Sequence, residues 1–291
     1  MRTLLVIGIG AGDPEQLTVE AINALNTVEV FFVFGKESAP DLTEARRRLC
    51  RRYIRGERYR MVEITDPPRD RGATDYSGAV ADWRDARTAE LTKALRTELG
   101  PDGRGGILVW GDPALYDGTI RIIETILEQG RLELDYRVIP GISSVQLLTA
   151  RHRIPLNQVA RPVHITTGRR LREGLPAGVD DVVVMLDAGL ACTDLRTQPG
   201  WHIYWGAYLG TEDEALVSGP LDGVIDEIHR TRRRLRERKG WIMDTYLLRR
   251  ATTLPSDTGN TSPRDIGPTS SRDTSPTLPS DSGPRSPRST D

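Results

Sequence analysis

Short β-rich apolar runs alternate with segments of helical period, and each run stops at a glycine or proline corner; this pattern constrains the fold more than anything else in the chain. Residues 3–8 form the first run, and residues 14–26 follow with Leu17, Ala21, Ile22 and Leu25 at helical spacing. A second run covers 28–34, a basic helix 42–53, and a further helix 82–99 carries Trp83, Leu91, Ala94, Leu95 and Leu99 on one side. The strand 106–110, the amphipathic helix 119–129 with Gly130 as its stop, and the strand 136–139 complete the series. Apolar strands interleaved with helices predict a mostly parallel α/β sheet over residues 1–160. The stretch 160–162 reads as a junction into a second α/β lobe, 161–252, with strands at 163–167, 181–186, 201–208 and 242–248 and a charged helix at 223–239. Ligand sites in such folds favour the crevice beyond strand C-termini and between lobes.

Composition removes several alternatives. The 291 residues are 37% hydrophobic and 28% charged, as expected of a chain that buries one or two cores. Forty Lys and Arg against 41 Asp and Glu leave no global field to attract nucleic acid. The apolar start is broken by Gly8 and Gly10 and is too short to span a bilayer, so a cytoplasmic protein is expected. Cys50 and Cys192 are far apart, and His152, His164, His202 and His229 lack ligand spacing, so neither a disulfide framework nor a metal site is expected. Residues 253–291 are Ser, Thr, Pro, Asp, Gly and Arg with scarcely a large apolar side chain; burial there cannot offset ordering entropy, and a disordered tail is predicted.

Three corners carry the chemical information. The first, Gly8-Ile9-Gly10-Ala11-Gly12-Asp13-Pro14, joins a strand to a helix and invites a dinucleotide reading. Counting the fingerprint from Gly8 puts Asp13 at the third glycine, and counting from Gly10 puts Glu15 there. A carboxylate would repel the pyrophosphate that a helix N-terminus should attract, which weakens a nicotinamide-dependent oxidoreductase. The second corner, Trp110-Gly111-Asp112-Pro113-Ala114-Leu115-Tyr116-Asp117-Gly118, offers close backbone approach at Gly111, a stiff turn at Pro113 and an acceptor at Asp112. The third, Pro140-Gly141-Ile142-Ser143-Ser144, sets two hydroxyls just past a strand end.

In that order, and followed in the second lobe by Val182-Val183-Val184-Met185-Leu186, these corners resemble the tetrapyrrole methylases. The resemblance extends over residues 1–250 through Arg153-Ile154-Pro155-Leu156-Asn157, Ile165-Thr166-Thr167-Gly168-Arg169-Arg170, the run from Tyr204 to Glu214, and Gly240-Trp241-Ile242-Met243-Asp244. It implies a two-lobed fold with a mixed second sheet, a homodimer, and S-adenosyl-L-methionine folded in the cleft between lobes, leaving as S-adenosyl-L-homocysteine. Carried onto matching positions, Ala11 faces the site, and Trp110, Gly111 and Asp112 hold the amino-acid end of the donor. Leu115 and Tyr116 pack beside it, Ser143 and Ser144 line it, and Met185 and the turn at Gly210 close over adenine or ribose.

The resemblance further implies a precorrin-5 substrate in corrin (cobalamin) biosynthesis, methylated at C-1 with loss of its acetyl group as acetate; the alternatives are another precorrin or tetrapyrrole, or a carrier with a vestigial pocket. Deacetylation calls for a base to activate water, and Asp13, Tyr116 and Asp187 are the candidates, with His164 behind them. Arginine suits a carboxylate-rich macrocycle, which directs attention to Arg71 and Arg87 and to Arg169 and Arg170. The run from Arg46 to Arg52 is expected to be a solvated helix face.

Overall fold

The computed structural model describes residues 1–35, 40–56, 58–68 and 76–250; Arg71 and the tail 253–291 lie outside them. Residues Met1–Ala251 form one compact unit built on two five-stranded sheets. The first sheet contains β1 (Arg2–Gly8), β2 (Val30–Gly35), β3 (Arg60–Thr65), β4 (Arg104–Val109) and β5 (Leu134–Ile139), ordered β3-β2-β4-β1-β5 with every pairing parallel. Alternation along β1 sends Leu4 and Val6 towards α3 (Tyr76–Glu98) and α4 (Thr119–Glu128), where they meet Leu91, Leu95 and Ile123. Leu5 and Ile7 face α1 (Val19–Leu25) and α2 (Pro40–Tyr53), meeting Leu25, Leu49 and Cys50. A strand buried on both faces must be apolar throughout, which is why β1 and β2 read as continuous apolar runs.

The second sheet is mixed: β6 (Val163–Thr167), β7 (Asp181–Met185), β10 (Asp244–Arg250), β8 (Trp201–Ala207) and β9 (Ala215–Pro220), in that spatial order. Only β6 and β7 run parallel. One face packs Val182, Val184, Trp205, Tyr246 and Leu248 against α7 (Leu221–Lys239) and the short α6 (Gly168–Arg172). The other face presents Val183 and Leu247 to Leu147 and Leu148 of α5 (Ser144–His152), with Ala11 and Leu209 in the same cluster. Helix α5 springs from the last corner of the first sheet and is roofed by the second, so burial of its leucines couples the two lobes.

The structure amends the sequence reading in four places. The helix expected over 14–26 is a single 3₁₀ turn, Pro14–Gln16, followed by α1, because the Thr18 side chain accepts from Ala21 N (3.0 Å) and restarts the helix. The edge strands β3 and β9 were not expected; their exposed faces carry Arg60, Glu63, Ser218 and Pro220, which dilute the apolar signal. Helix α5 was hidden by the corner that caps it, where the Ser143 side chain accepts from Val145 N (3.1 Å) and Gln146 reaches back to the Ser143 N–H. No described helix is long and apolar enough to cross a membrane.

Candidate functional site

Because β4, β1 and β5 are neighbours, parallel pairing puts all three corners at one end of the sheet. Gly10 and Gly111 exchange backbone hydrogen bonds (2.8 and 3.3 Å), so the first two corners are stitched together. The third is closer still: a Cβ on Gly141 would lie 2.2 Å from Gly111 O and 2.8 Å from the Gly8 carbonyl carbon. Only glycine lets these backbones touch. Asp112 locks the arrangement, its Oδ1 accepting from Ala114 N (2.8 Å) and its Oδ2 from Gly141 N (2.9 Å).

Across from the corners, β7, β8 and β10 supply the facing wall of a cleft of about 390 Å³. Ala11, Trp110, Gly111, Asp112, Leu115, Tyr116, Ser143, Ser144 and Met185 all line it. Gly210 does not; it borders an adjoining cavity of about 430 Å³ that shares Trp110 and Met243 with the cleft. Ser144 Oγ and Thr245 Oγ1 meet at 3.2 Å, a direct hydrogen bond between the third corner and β10.

The acid–base candidates separate. Asp13 caps the 3₁₀ turn through Glu15 N (2.9 Å) and is absent from the cleft lining. That cap also occupies the Glu15 N–H, one of the donors a pyrophosphate at this turn would need. Asp187 is buried behind the cleft, where it accepts from Gly189 N (3.1 Å), Ala191 N (2.6 Å) and the Tyr246 hydroxyl (2.6 Å). Tyr116 lines the cleft, exposed, with its hydroxyl donating to Ile165 O at 3.3 Å. Desolvation raises its phenol above the ordinary range. His164 lies on β6, half-buried and away from the cleft lining.

Asp244, at the start of β10, is a carboxylate on the cleft wall that the candidates did not include. Its Oδ2 receives Arg232 Nε (2.8 Å) and Trp205 Nε1 (3.0 Å), while Oδ1 has no hydrogen-bond partner among the described residues. Burial pushes this carboxyl up, against the Arg232 and Trp205 contacts that hold it down. Arg232 also donates to Asp187 O (2.6 Å) and Ala188 O (3.0 Å), so one guanidinium from α7 fixes both the loop after β7 and the head of β10. The sequence signal was a lone arginine among many on a charged helix, and nothing in its spacing distinguishes it.

The arginine candidates also separate. Arg87 lines a smaller recess beside the cleft, paired with Asp66 (2.7 Å). Arg169 and Arg170 sit exposed on α6, with Arg170 bound to Glu173 (2.5 Å). Of the run Arg46 to Arg52, Arg47, Arg48, Arg51 and Arg52 are exposed, but Arg46 turns inward to the recess, contrary to a uniformly solvated face.

A parallel α/β lobe whose adjacent strand corners face a mixed-sheet lobe across one cleft defines a two-lobed α/β protein. Residues 3–225 match the Tetrapyrrole (Corrin/Porphyrin) Methylases, and the chain belongs to that family. It is 50% identical over 252 residues to the precorrin-6A synthase [deacetylating] of Sinorhizobium sp, covering 86% of this chain and 96% of the relative. Among solved structures it is similar to the cobalamin synthesis related protein CobF of Corynebacterium diphtheriae, at 38% identity and a TM-score of 0.75 over 87% of this chain and all (100%) of that one. The uroporphyrin-III-C-methyltransferase of Thermus thermophilus shares the fold, at 20% identity and a TM-score of 0.55 over 85% of this chain and 92% of that one.

Proposed function

We propose that the chain transfers a methyl group from S-adenosyl-L-methionine to C-1 of precorrin-5 and expels the C-1 acetyl group as acetate, giving precorrin-6A. The observation that carries this reading is the sharing of one cleft by three glycine corners and the β7–β10 wall, in a chain 50% identical to a deacetylating precorrin-6A synthase. The residues suit the donor. Trp110, Gly111 and Asp112 of the second corner and Ser143 and Ser144 of the third line the cleft where its charged amino-acid end would lie, while Leu115, Met185 and Leu209 offer apolar surface to the flat adenine. A sulfonium methyl needs alignment more than acid or base help, and the tightly stitched corners are rigid enough to supply it.

Acetyl loss needs more: water gives a proton to a base as it adds to the acetyl carbonyl, the carbon–carbon bond breaks to release acetate, and the electron pair left on C-1 takes the methyl group as S-adenosyl-L-homocysteine departs. Tyr116 is the acid–base candidate placed on the cleft. Asp13 and Asp187 then act in support, one capping the first corner and the other holding the loop after β7. The protein acts in the cytoplasm as a homodimer on a free tetrapyrrole, with no metal. Incubation with precorrin-5 and methyl-labelled donor tests the reading: label and acetate should appear in equal amounts. Methylated product without acetate refutes the coupled reaction, and calorimetric binding of NAD but not of S-adenosyl-L-homocysteine refutes the donor.

A further inference from the structure

β2 and β4 are paired only across Val30↔Gly105 and Phe31↔Gly106. Beyond that, β2 stays with β3 as far as Gly35↔Thr65, and β4 stays with β1 as far as Gly8↔Val109. The sheet therefore splits towards its C-terminal edge, and a recess of about 200 Å³ opens in the split. Crevices at this edge of a parallel sheet are where α/β proteins bind ligands. Trp110 and Asp117 line both this recess and the methyl-donor cleft, so the two are contiguous.

Two guanidinium groups face the recess, and they differ in one respect. Arg87 is answered by Asp66 (2.7 Å) and lies over the rings of Phe34 and Trp83, 4.1 and 4.5 Å from their centroids. Arg46 has no carboxylate within ion-pair distance among the described residues. Its Nε donates to Leu108 O (3.0 Å), the edge of β4 that β2 has left, and its Nη1 to Leu42 O (3.1 Å). The group stands over Trp110, 5.6 Å from the ring centroid. Burial lowers its pKa to about 10, which marks a charge short of compensation, and Asp117 opposes that fall without reaching contact. Asp117 is exposed and already accepts from Thr119 N (2.7 Å). With Nε and Nη1 tied to carbonyls, Arg46 is held still while Nη2 has no partner among the described residues. A fixed, partly desolvated guanidinium with spare donors is matched by a carboxylate, which gains a charge-assisted hydrogen bond.

We propose that this recess is a carboxylate subsite in which Arg46 receives one acidic side arm of the macrocycle and so sets the ring against the methyl donor next door. The proposal rests on the tetrapyrrole reading above but concerns a residue outside the methyl-donor cleft. The test is a titration of the full chain with uroporphyrin III, rich in carboxylate arms, and with its fully esterified form, followed by tryptophan fluorescence. Calorimetry with S-adenosyl-L-homocysteine runs alongside. Wild type should bind the acid and not the ester. Arg46→Met should weaken binding of the acid about tenfold or more, leave S-adenosyl-L-homocysteine within twofold, and raise KM for precorrin-5 with little change in kcat. Arg46→Lys should recover part of the loss, and Arg47→Met, on the exposed face of the same helix, none of it being lost, should match wild type. Unchanged acid binding in Arg46→Met, equal binding of acid and ester by wild type, no binding of the acid at all, or an equal loss for S-adenosyl-L-homocysteine each overturns the subsite. If Arg46→Met does not fold, Arg46→Gln, which keeps two donors and drops the charge, takes its place; failure of both makes Arg46 structural and also overturns it. None of these results bears on acetate release by wild type, which judges the reaction separately.

Discussion

Replacing Gly141 by alanine puts the contact between corners to the test. The added Cβ would sit 2.2 Å from Gly111 O and 2.8–2.9 Å from the Gly8 backbone, where no flexible side chain can yield. Overpacking of this kind costs about 1–3 kcal/mol when side chains can move, so backbone against backbone belongs at the upper end. Relief requires the third corner to retreat, which breaks the Gly141 N–H to Asp112 Oδ2 bond (2.9 Å). A hydrogen bond to a charged acceptor is worth about 1.5–3 kcal/mol. The combined loss is thus about 4.5–6 kcal/mol, or roughly 9–24 °C in Tm at about 2–4 °C per kcal/mol for a chain of this size. Retreat also widens the cleft, and a loss of about 1.4 kcal/mol in ligand contact weakens binding about tenfold. Thermal unfolding and calorimetry with S-adenosyl-L-homocysteine measure both. Gly223→Ala is the control: its Cβ meets nothing within 4 Å on exposed helix α7, so stability should rise by up to about 1 kcal/mol. A Gly141→Ala protein melting within 2 °C of wild type and binding the product equally well would refute the reasoning.

Other perturbations separate locking from lining. Asp112→Asn turns an amide N–H₂ towards either Ala114 N–H or Gly141 N–H, and denaturant unfolding should show a loss of about 1–3 kcal/mol. Asp244→Ala strands the Arg232 guanidinium, whose side chain is 11% exposed, and should cost about 3–5 kcal/mol; Asp244→Asn retains an acceptor and should cost less in the same assay. His152 and His202 flank Tyr204, and desolvation lowers both pKa values. Each is therefore neutral in the fold at a pH where the unfolded chain takes up a proton. Stability should fall as pH drops below the unfolded value of about 6.5, and the His152→Gln, His202→Gln double variant should flatten that slope in urea titrations.

Residues whose role is set by their immediate neighbours were legible in the sequence. Gly8, Gly10, Gly111 and Gly141 stand at strand ends, and a parallel sheet puts such ends on one edge, so a crevice there could be anticipated from the chain; that β4, β1 and β5 are neighbours is what the structure adds. Arg46, Arg232 and Asp244 were not legible. Arg46 and Arg232 are each one charge among many on a helix with a solvated face, and Asp244 is a single carboxylate at the head of a buried strand; their inward orientation depends on what lies across the fold: the split between β2 and β4 for Arg46, and the indole of Trp205 for the Arg232–Asp244 pair. Helical periodicity places Arg46 about 100° from Arg47, but it does not say which of them meets a sheet that has opened. The same distinction applies to Asp13 and Asp187, which sequence position put near the site; their oxygens are claimed by local N–H groups, a use of carboxylates that proximity in the chain favours and that only geometry reveals. Asp244 is the converse case. Its partners come from β8 and α7, elements distant in the chain, so its place on the cleft wall is set by contacts that no local pattern announces.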